Sequence, residues 1–417
     1  MRLREVYLML SVGLFFRVCV SLWNGFWGPS IGAEADATSF HQAASNLFNY
    51  PGTINELSEI ASQSQNNLSH HPDYAHGFHL LKHFYAQLLA RVYFLTTDSL
   101  FIGGLFSALV WFASSIVLIK IMNLLETNKS DQFKAMAIYS LLPSSILFTG
   151  VTLREPFQLL LVNLAMYSAL KVYLEKFFRF IIVLPLLIVI MKKIHLSLFL
   201  LGIFIAFSLF LLLILRKGSA FFIKGTLIAF AIALATYSVL GAHRLLSFLP
   251  PIHLIEKGLP AAIERYLSVG ASFGARTQFV HNIELKDFTD LILFAPKHFL
   301  QYLFEPMPWR VSTILDLNVL LENLVRFVLI WKGLAVFFHT QGGKRLVFLF
   351  SFLAYLFFEA LWSVGTVNWG TAIRHHVPTM GLLIASAFAY SRYRPEKSSV
   401  QADPNITPHY KSPGFSK

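Results

Sequence analysis

Apolar runs of membrane length alternate with short polar links along most of the chain. A bilayer core takes about 20 apolar residues per helix, and on that measure the pattern predicts about ten spans. The first runs from about Val6 to Trp27, the second from about Leu100 to Leu125, and the third from about Ala135 to Phe148. The fourth ends before Lys171, Lys176 and Arg179; the fifth covers about Phe180 to Ile190 and leads to Lys192-Lys193. The sixth returns to Arg216-Lys217, and the seventh covers about Phe221 to Leu240. Three more follow: about Ile314 to Phe338, Leu346 to Val364, and one ending near Tyr390. Two long polar regions interrupt the series, about Gly28 to Tyr74 and Gly241 to about Trp309, and no internal repeat is visible.

Two segments have the amphipathic character of helices lying along the interface rather than crossing it. In Gly77 to Leu95, Phe78, Leu81, Tyr85, Leu88, Leu89 and Val92 recur at helical spacing while His79, Lys82, His83 and Arg91 interrupt. Read as a span instead, this segment would invert everything downstream. Leu291 to Phe304 is apolar but broken by Pro296, Lys297 and His298, and Trp309 beyond it suits the headgroup level.

Charge orients the series. The Gly28 to Tyr74 stretch holds Glu34, Asp36, Glu56, Glu59 and Asp73 and no Lys or Arg, whereas Arg2 and Arg4 precede the first span. By the positive-inside rule the N-terminus is cytoplasmic and this loop lies on the opposite face. The inner loops then carry Lys129, Lys134, Lys171, Lys176, Arg216, Lys217, Lys344 and Arg345. Lys192-Lys193 is a basic pair left on the outer side. The tail from Arg392, basic and rich in Pro and Ser, reads as disordered and cytoplasmic. The first span is too long for a signal-peptide core and reads as a retained anchor.

Composition agrees with a polytopic membrane protein: of 417 residues 55% are hydrophobic and 13% charged, against about 25% charged in soluble domains. Topology explains most of the basic residues behind the net charge of +12, so nucleic acid is not an expected partner. The single cysteine, Cys19, rules out an internal disulfide framework or thiolate metal site. Short loops and the lack of an endoplasmic-reticulum retrieval signal point to a bacterial plasma membrane.

Ionisable residues at membrane depth are costly and often mark function. Under this topology Glu34, Asp36, Arg154, Glu155, Lys192, Lys193, Arg374, His375 and His376 all emerge on the outer face. Each has a plainer reading: solvated loop acids, a helix-start acid at Glu155 complementing the dipole, snorkelling lysines, and an anionic-lipid contact at Arg374-His375-His376. Arg17, mid-span, needs a partner. The histidines between His70 and His83 lack a closed zinc-ligand spacing.

The acidic Glu34-Ala35-Asp36 directly after the first span resembles the modified DxD signature of the GT-C glycosyltransferases. The order of features is similar as well: Asp36-Ala37-Thr38-Ser39-Phe40-His41-Gln42-Ala43-Ala44, a juxtamembrane helix over His79 to Thr97, Leu142-Pro143 and Thr149 to Leu161 with Glu155 opening the fourth span, and Lys192-Lys193 after the fifth. The likeness covers about residues 1–240, the family's seven-span module. Residues 241–391 match only in style, at Pro306-Met307-Pro308-Trp309 and Gly370-Thr371-Ala372-Ile373-Arg374-His375, and 392–417 form the tail. The protein mannosyltransferase and aminoarabinose transferase branches commonly carry DE or DD where this chain has Glu34-Ala35-Asp36, which leaves subfamily and acceptor open.

The resemblance implies an all-α membrane enzyme that moves a sugar from a polyprenyl-phosphate donor to a glycan, lipid or protein acceptor. Asp36 is then the general base, with Glu34 or Glu155 orienting the acceptor or holding a divalent cation, magnesium or manganese. Arg374, Lys192 and Lys193, with Arg154, are candidates for the donor phosphate, and His375 or His376 can donate a proton or hydrogen bond. A polysaccharide polymerase or O-antigen ligase is the nearest alternative, disfavoured by the acid-rich first loop. A transporter is the alternative of another class, disfavoured by the lack of a repeat.

Overall fold

The computed structural model describes residues 3–28, 33–49, 83–177, 179–215, 258–272, 274–280 and 283–391. Within them the protein is all-helical, and strand pairing is limited to one bridge between Gln278 and Asn368. The helices are α1 (Leu3–Phe26), α2 (Glu34–Asn49), α3 (Phe84–Leu95), α4 (Leu100–Leu124), α5 (Lys129–Leu141), α6 (Pro143–Gly150), α7 (Glu155–Glu175), α8 (Arg179–Ile194) and α9 (Leu196–Leu215). After them come α10 (Gly258–Ser272), α11 (Phe288–Phe304), α12 (Ile314–His339), α13 (Gly342–Ser363), α14 (Trp369–His375) and α15 (Met380–Phe388).

Among the described residues, five helices are long and apolar enough to cross a membrane: α1, α4, α7, α9 and α13. The other expected spans differ. The third is two helices, α5 and α6, because Pro143 has no N–H and pushes Leu142 into extended backbone (ψ 123°). The fifth, α8, has 16 residues and contains Pro185. The eighth, α12, has 26 residues but carries Asp316, Glu322 and Arg326, all buried. The tenth is represented by α15, whose nine residues are all buried. The seventh, about residues 221–240, lies outside the described residues. At 12 residues, α3 is too short to span; it reaches about 18 Å, against a core of about 30 Å.

α4 is the centre of the N-terminal half, packed between α1 and α7. A small residue also lets α4 approach the end of α6, as is usual inside membranes: a Cβ on Gly104 of α4 would sit 2.8 Å from the Gly150 carbonyl oxygen of α6. α15 packs against α12, α13 and α5, closing the C-terminal half onto the first.

The break between α5 and α6 has its freed polar groups satisfied from two sides. Arg17 of α1 is fully buried, with its Cζ 3.4 Å from the centre of the Trp111 ring. It donates to the Ser140 and Gly13 carbonyls at 2.9 and 2.8 Å and to the hydroxyls of Thr149 and Ser145 at 2.6 and 2.9 Å. The partner that Arg17 needs is therefore a set of carbonyls, hydroxyls and an aromatic face, rather than a carboxylate. On the far side, the Ser144 N–H and hydroxyl donate to the Glu322 carboxylate of α12, the N–H at 2.7 Å.

Candidate active site

Three segments far apart in sequence meet at one end of the bundle. The polar stretch after α1 folds into α2, which places Asp36 on its first turn. Phe40, one turn on, is buried against the rings of His83 and Tyr85, and His41 Nδ1 lies 2.8 Å from the Tyr93 hydroxyl. Ser45 donates to Asp98. These contacts fix α2 to α3 and so fix where Asp36 points.

Glu155 is the first residue of α7, following the turn at Arg154. Arg374 lies in the last turn of α14. That short helix is held at its start: the Asn368 side chain caps the Thr371 N–H, Trp369 N donates to the Thr277 carbonyl, and Trp369 Nε1 donates to Asp316 at 3.1 Å. Asp316, at the start of α12, also takes both terminal nitrogens of Arg276 at 2.8 and 2.9 Å.

Arg374 joins the two acids. Its Nε donates to Glu155 Oε1 at 2.6 Å and its NH1 group donates to Asp36 Oδ2. The Glu155 side chain is 3% exposed and that of Arg374 12%, while Asp36 is 49% exposed. Burial disfavours the Arg374 charge, but the two carboxylates outweigh it and hold the guanidinium above its ordinary value. Asp36 is thus the member of the triad that solvent reaches.

Arg154 stands beside the triad. It lies 3.4 Å from His83 Nε2 and over the Phe40 ring, and its Nε is buried without a hydrogen-bond partner. Burial lowers its pKa, Glu155 opposes that shift, and Arg374 adds to it. His375 donates or accepts at Thr366 Oγ1 over 2.9 Å and stacks on Trp362 at 3.9 Å, and His195, between α8 and α9, lies 4.5 Å from the same ring. Burial and then the neighbouring cations lower both histidines, His195 to about 3. Both are neutral at pH 7, leaving Arg374 and Arg154 as the local cations.

The structure brings together Asp36, Glu155, Arg374, Arg154 and His375 among the residues expected from sequence. It does not bring in His376. Successive helical positions turn by about 100°, so His376 faces the interior, 2% exposed, with Nδ1 2.5 Å from Glu359 Oε2 and Nε2 3.3 Å from the Tyr302 carbonyl. Arg374, expected to be open for a donor phosphate, is engaged by both carboxylates. Lys192 and Lys193 close α8, with ammonium groups 5.9 and 5.7 Å from the rings of Phe199 and Phe84. They border the site, because the Ile194 carbonyl meets His83 at 3.2 Å. The side chain of Glu34 lies outside the described residues.

From sequence His83 enters as a site candidate only among the histidines weighed for zinc, and His195 not at all; the one available signal for His195 is that it follows directly on Lys192-Lys193-Ile194. A divalent ion takes about six oxygen ligands. Asp36 and Glu155 instead face a guanidinium set between them, and among the described residues no group of three or more potential ligands gathers. Glu34, the other acid expected to hold magnesium or manganese, has its side chain outside the described residues. Comparison with protein-family models, with curated proteins and with solved structures finds no match to this chain.

Proposed function

We propose that this protein is an integral-membrane glycosyltransferase of the GT-C type, moving a sugar from a polyprenyl-phosphate donor to an acceptor hydroxyl. The observation that supports it best is the meeting of Asp36 and Glu155 on Arg374, beside Arg154, where the first apolar helix has just ended. Acids and cations in one cluster at the end of apolar helices suit a reaction that needs a base for one oxygen and positive charge for another.

In this reading the half-exposed Asp36 takes the proton from the acceptor hydroxyl, whose oxygen bonds to the anomeric carbon. The bond from that carbon to the phosphate oxygen breaks, and the lipid phosphate leaves with the electron pair. Arg154, with no carboxylate bonded to it among the described residues, receives the phosphate charge. Arg374 fixes the two acids and shares in that charge as Asp36 gains its proton. Glu155 anchors Arg374 from its buried position. Lys192 and Lys193 lie near enough to draw an anionic headgroup toward the site.

The remaining topology of this reading is about ten spans, with both termini cytoplasmic and the site on the outer face of a bacterial plasma membrane. The test is purified protein in nanodiscs, supplied with polyprenyl-phosphate sugars and acceptor-containing membrane extract. Release of polyprenyl phosphate dependent on Asp36 is expected; no transfer or hydrolysis from any such donor would remove the reading.

A further inference from the structure

Glu155 spends only one of its carboxylate oxygens on Arg374. The other, Oε2, is buried and has no hydrogen-bond partner, in a residue 2% exposed. Three residues on, Gln158 is 1% exposed and its side-chain Nε2 is also buried without a partner. Residues three apart share a helix face, so both groups line the same side of the first turns of α7. Arg154 Nε, just before them, is a third buried polar atom without a partner. The start of α7 has no side-chain cap that would account for them.

Buried polar groups are nearly always satisfied, and orphans call for a specific explanation. Here the orphans are complementary. A carboxylate oxygen only accepts and an amide nitrogen only donates. A single hydroxyl group can satisfy both at once, donating its proton to Glu155 Oε2 and accepting from Gln158 Nε2. Asp36, which Arg374 also bonds, is the half-exposed end of this cluster.

We propose that Glu155 and Gln158 form a hydroxyl-recognising subsite that reads a sugar hydroxyl of the substrate, with Gln158 as a specificity-determining residue. This rests on the glycosyltransferase reading. The hydroxyl belongs either to the sugar of the lipid donor or to the acceptor, and the chemistry of recognition is the same for both.

The test uses Gln158→Leu, with Gln158→Met as a second variant of similar volume, in the full-length protein. Because each removes a buried amide nitrogen that has no partner, the ligand-free protein is expected to melt at or above the wild-type temperature. Affinity is then measured for bare polyprenyl phosphate and for polyprenyl-phosphate glucose and mannose. The expected result is an unchanged affinity for the bare lipid and a loss of about tenfold for the sugar-bearing lipid that wild type prefers. If donor affinity holds and the acceptor KM rises about tenfold instead, the hydroxyl is the acceptor's. Wild-type affinity and KM in both variants would overturn the subsite, as would lower melting with equal losses for bare and sugar-bearing lipid, which marks a structural water site. Wild-type protein that binds no polyprenyl phosphate, with or without sugar, would instead remove the glycosyltransferase reading and the subsite with it.

Discussion

Arg374 Nε meets Glu155 Oε1 at 2.6 Å across 219 residues of chain, tying the start of α7 to the short helix between α13 and α15. Both side chains are largely buried, 12% and 3% exposed. Removing one partner of such a pair leaves a buried charge without compensation, at a cost of about 3–5 kcal/mol. Arg374→Ala is therefore expected to lower thermal stability strongly in detergent, and Arg374→Ala with Glu155→Gln to recover most of the loss. Arg374→Lys should stay impaired, because a point charge cannot reproduce a fork shared by two carboxylates. Additive losses in the double variant would show that the two residues do not act as a pair.

The α5–α6 break supplies a second prediction. Arg17 satisfies the Ser140 carbonyl, and Glu322 satisfies the Ser144 N–H. Each buried backbone group left without its partner costs about 1–3 kcal/mol. Arg17→Met and Glu322→Leu should each destabilise by at least that much, and Arg17→Lys should not rescue, since an ammonium can neither serve four acceptors with the same geometry nor stack on Trp111 as a plane. Thermal unfolding of the purified variants checks this; wild-type stability in Arg17→Met would contradict it.

Asp36, Glu155 and Arg374 stood out in the sequence one at a time, each a charge at the edge of an apolar run. Their contact did not, because helix packing decides which ends meet across 338 and 219 residues. Arg374, His375 and His376 read as one cluster in sequence, yet helical rotation sends His376 to Glu359. Hydropathy also ran the third span through Pro143, since proline hardly alters mean polarity while it ends the hydrogen-bond ladder. In α12 the reverse holds: Glu322 and Arg326 sit inside an otherwise apolar run because Ser144, Asn323 and the Leu303 carbonyl satisfy them.

His195 gives a pH dependence with a definite sign. Its pKa falls from 6.5 to about 3 in the folded protein, through burial and then the Arg154 charge. Between those values the unfolded chain binds a proton that the folded chain refuses, so stability rises with pH across this window. The contribution is fully present above about pH 6.5 and is lost progressively as pH falls toward about 3. His375, lowered for the same reasons, acts in the same direction. Melting temperature should drop between about pH 7.5 and about pH 5, and His195→Gln should flatten the drop. An unchanged slope in that variant would exclude His195 as its source.

Topology is open to direct labelling. Thr97 lies just before α4, which is long and apolar enough to cross the membrane, and Lys134 lies beyond its other end, early in α5. In a Cys19→Ser background, Thr97→Cys should react with an impermeant thiol reagent from outside intact cells, and Lys134→Cys only after permeabilisation. Labelling of both from outside would contradict the orientation.

Asp36→Asn tests most directly the proposal that Asp36 is the base of a sugar transfer. Asparagine keeps the shape and a hydrogen bond to Arg374 but cannot take a proton. Turnover with a polyprenyl-phosphate sugar should fall by about 10²–10⁴-fold, with donor-lipid affinity little changed, since the loss falls on the chemical step. Turnover above about a third of wild type, far outside that range, would contradict the account.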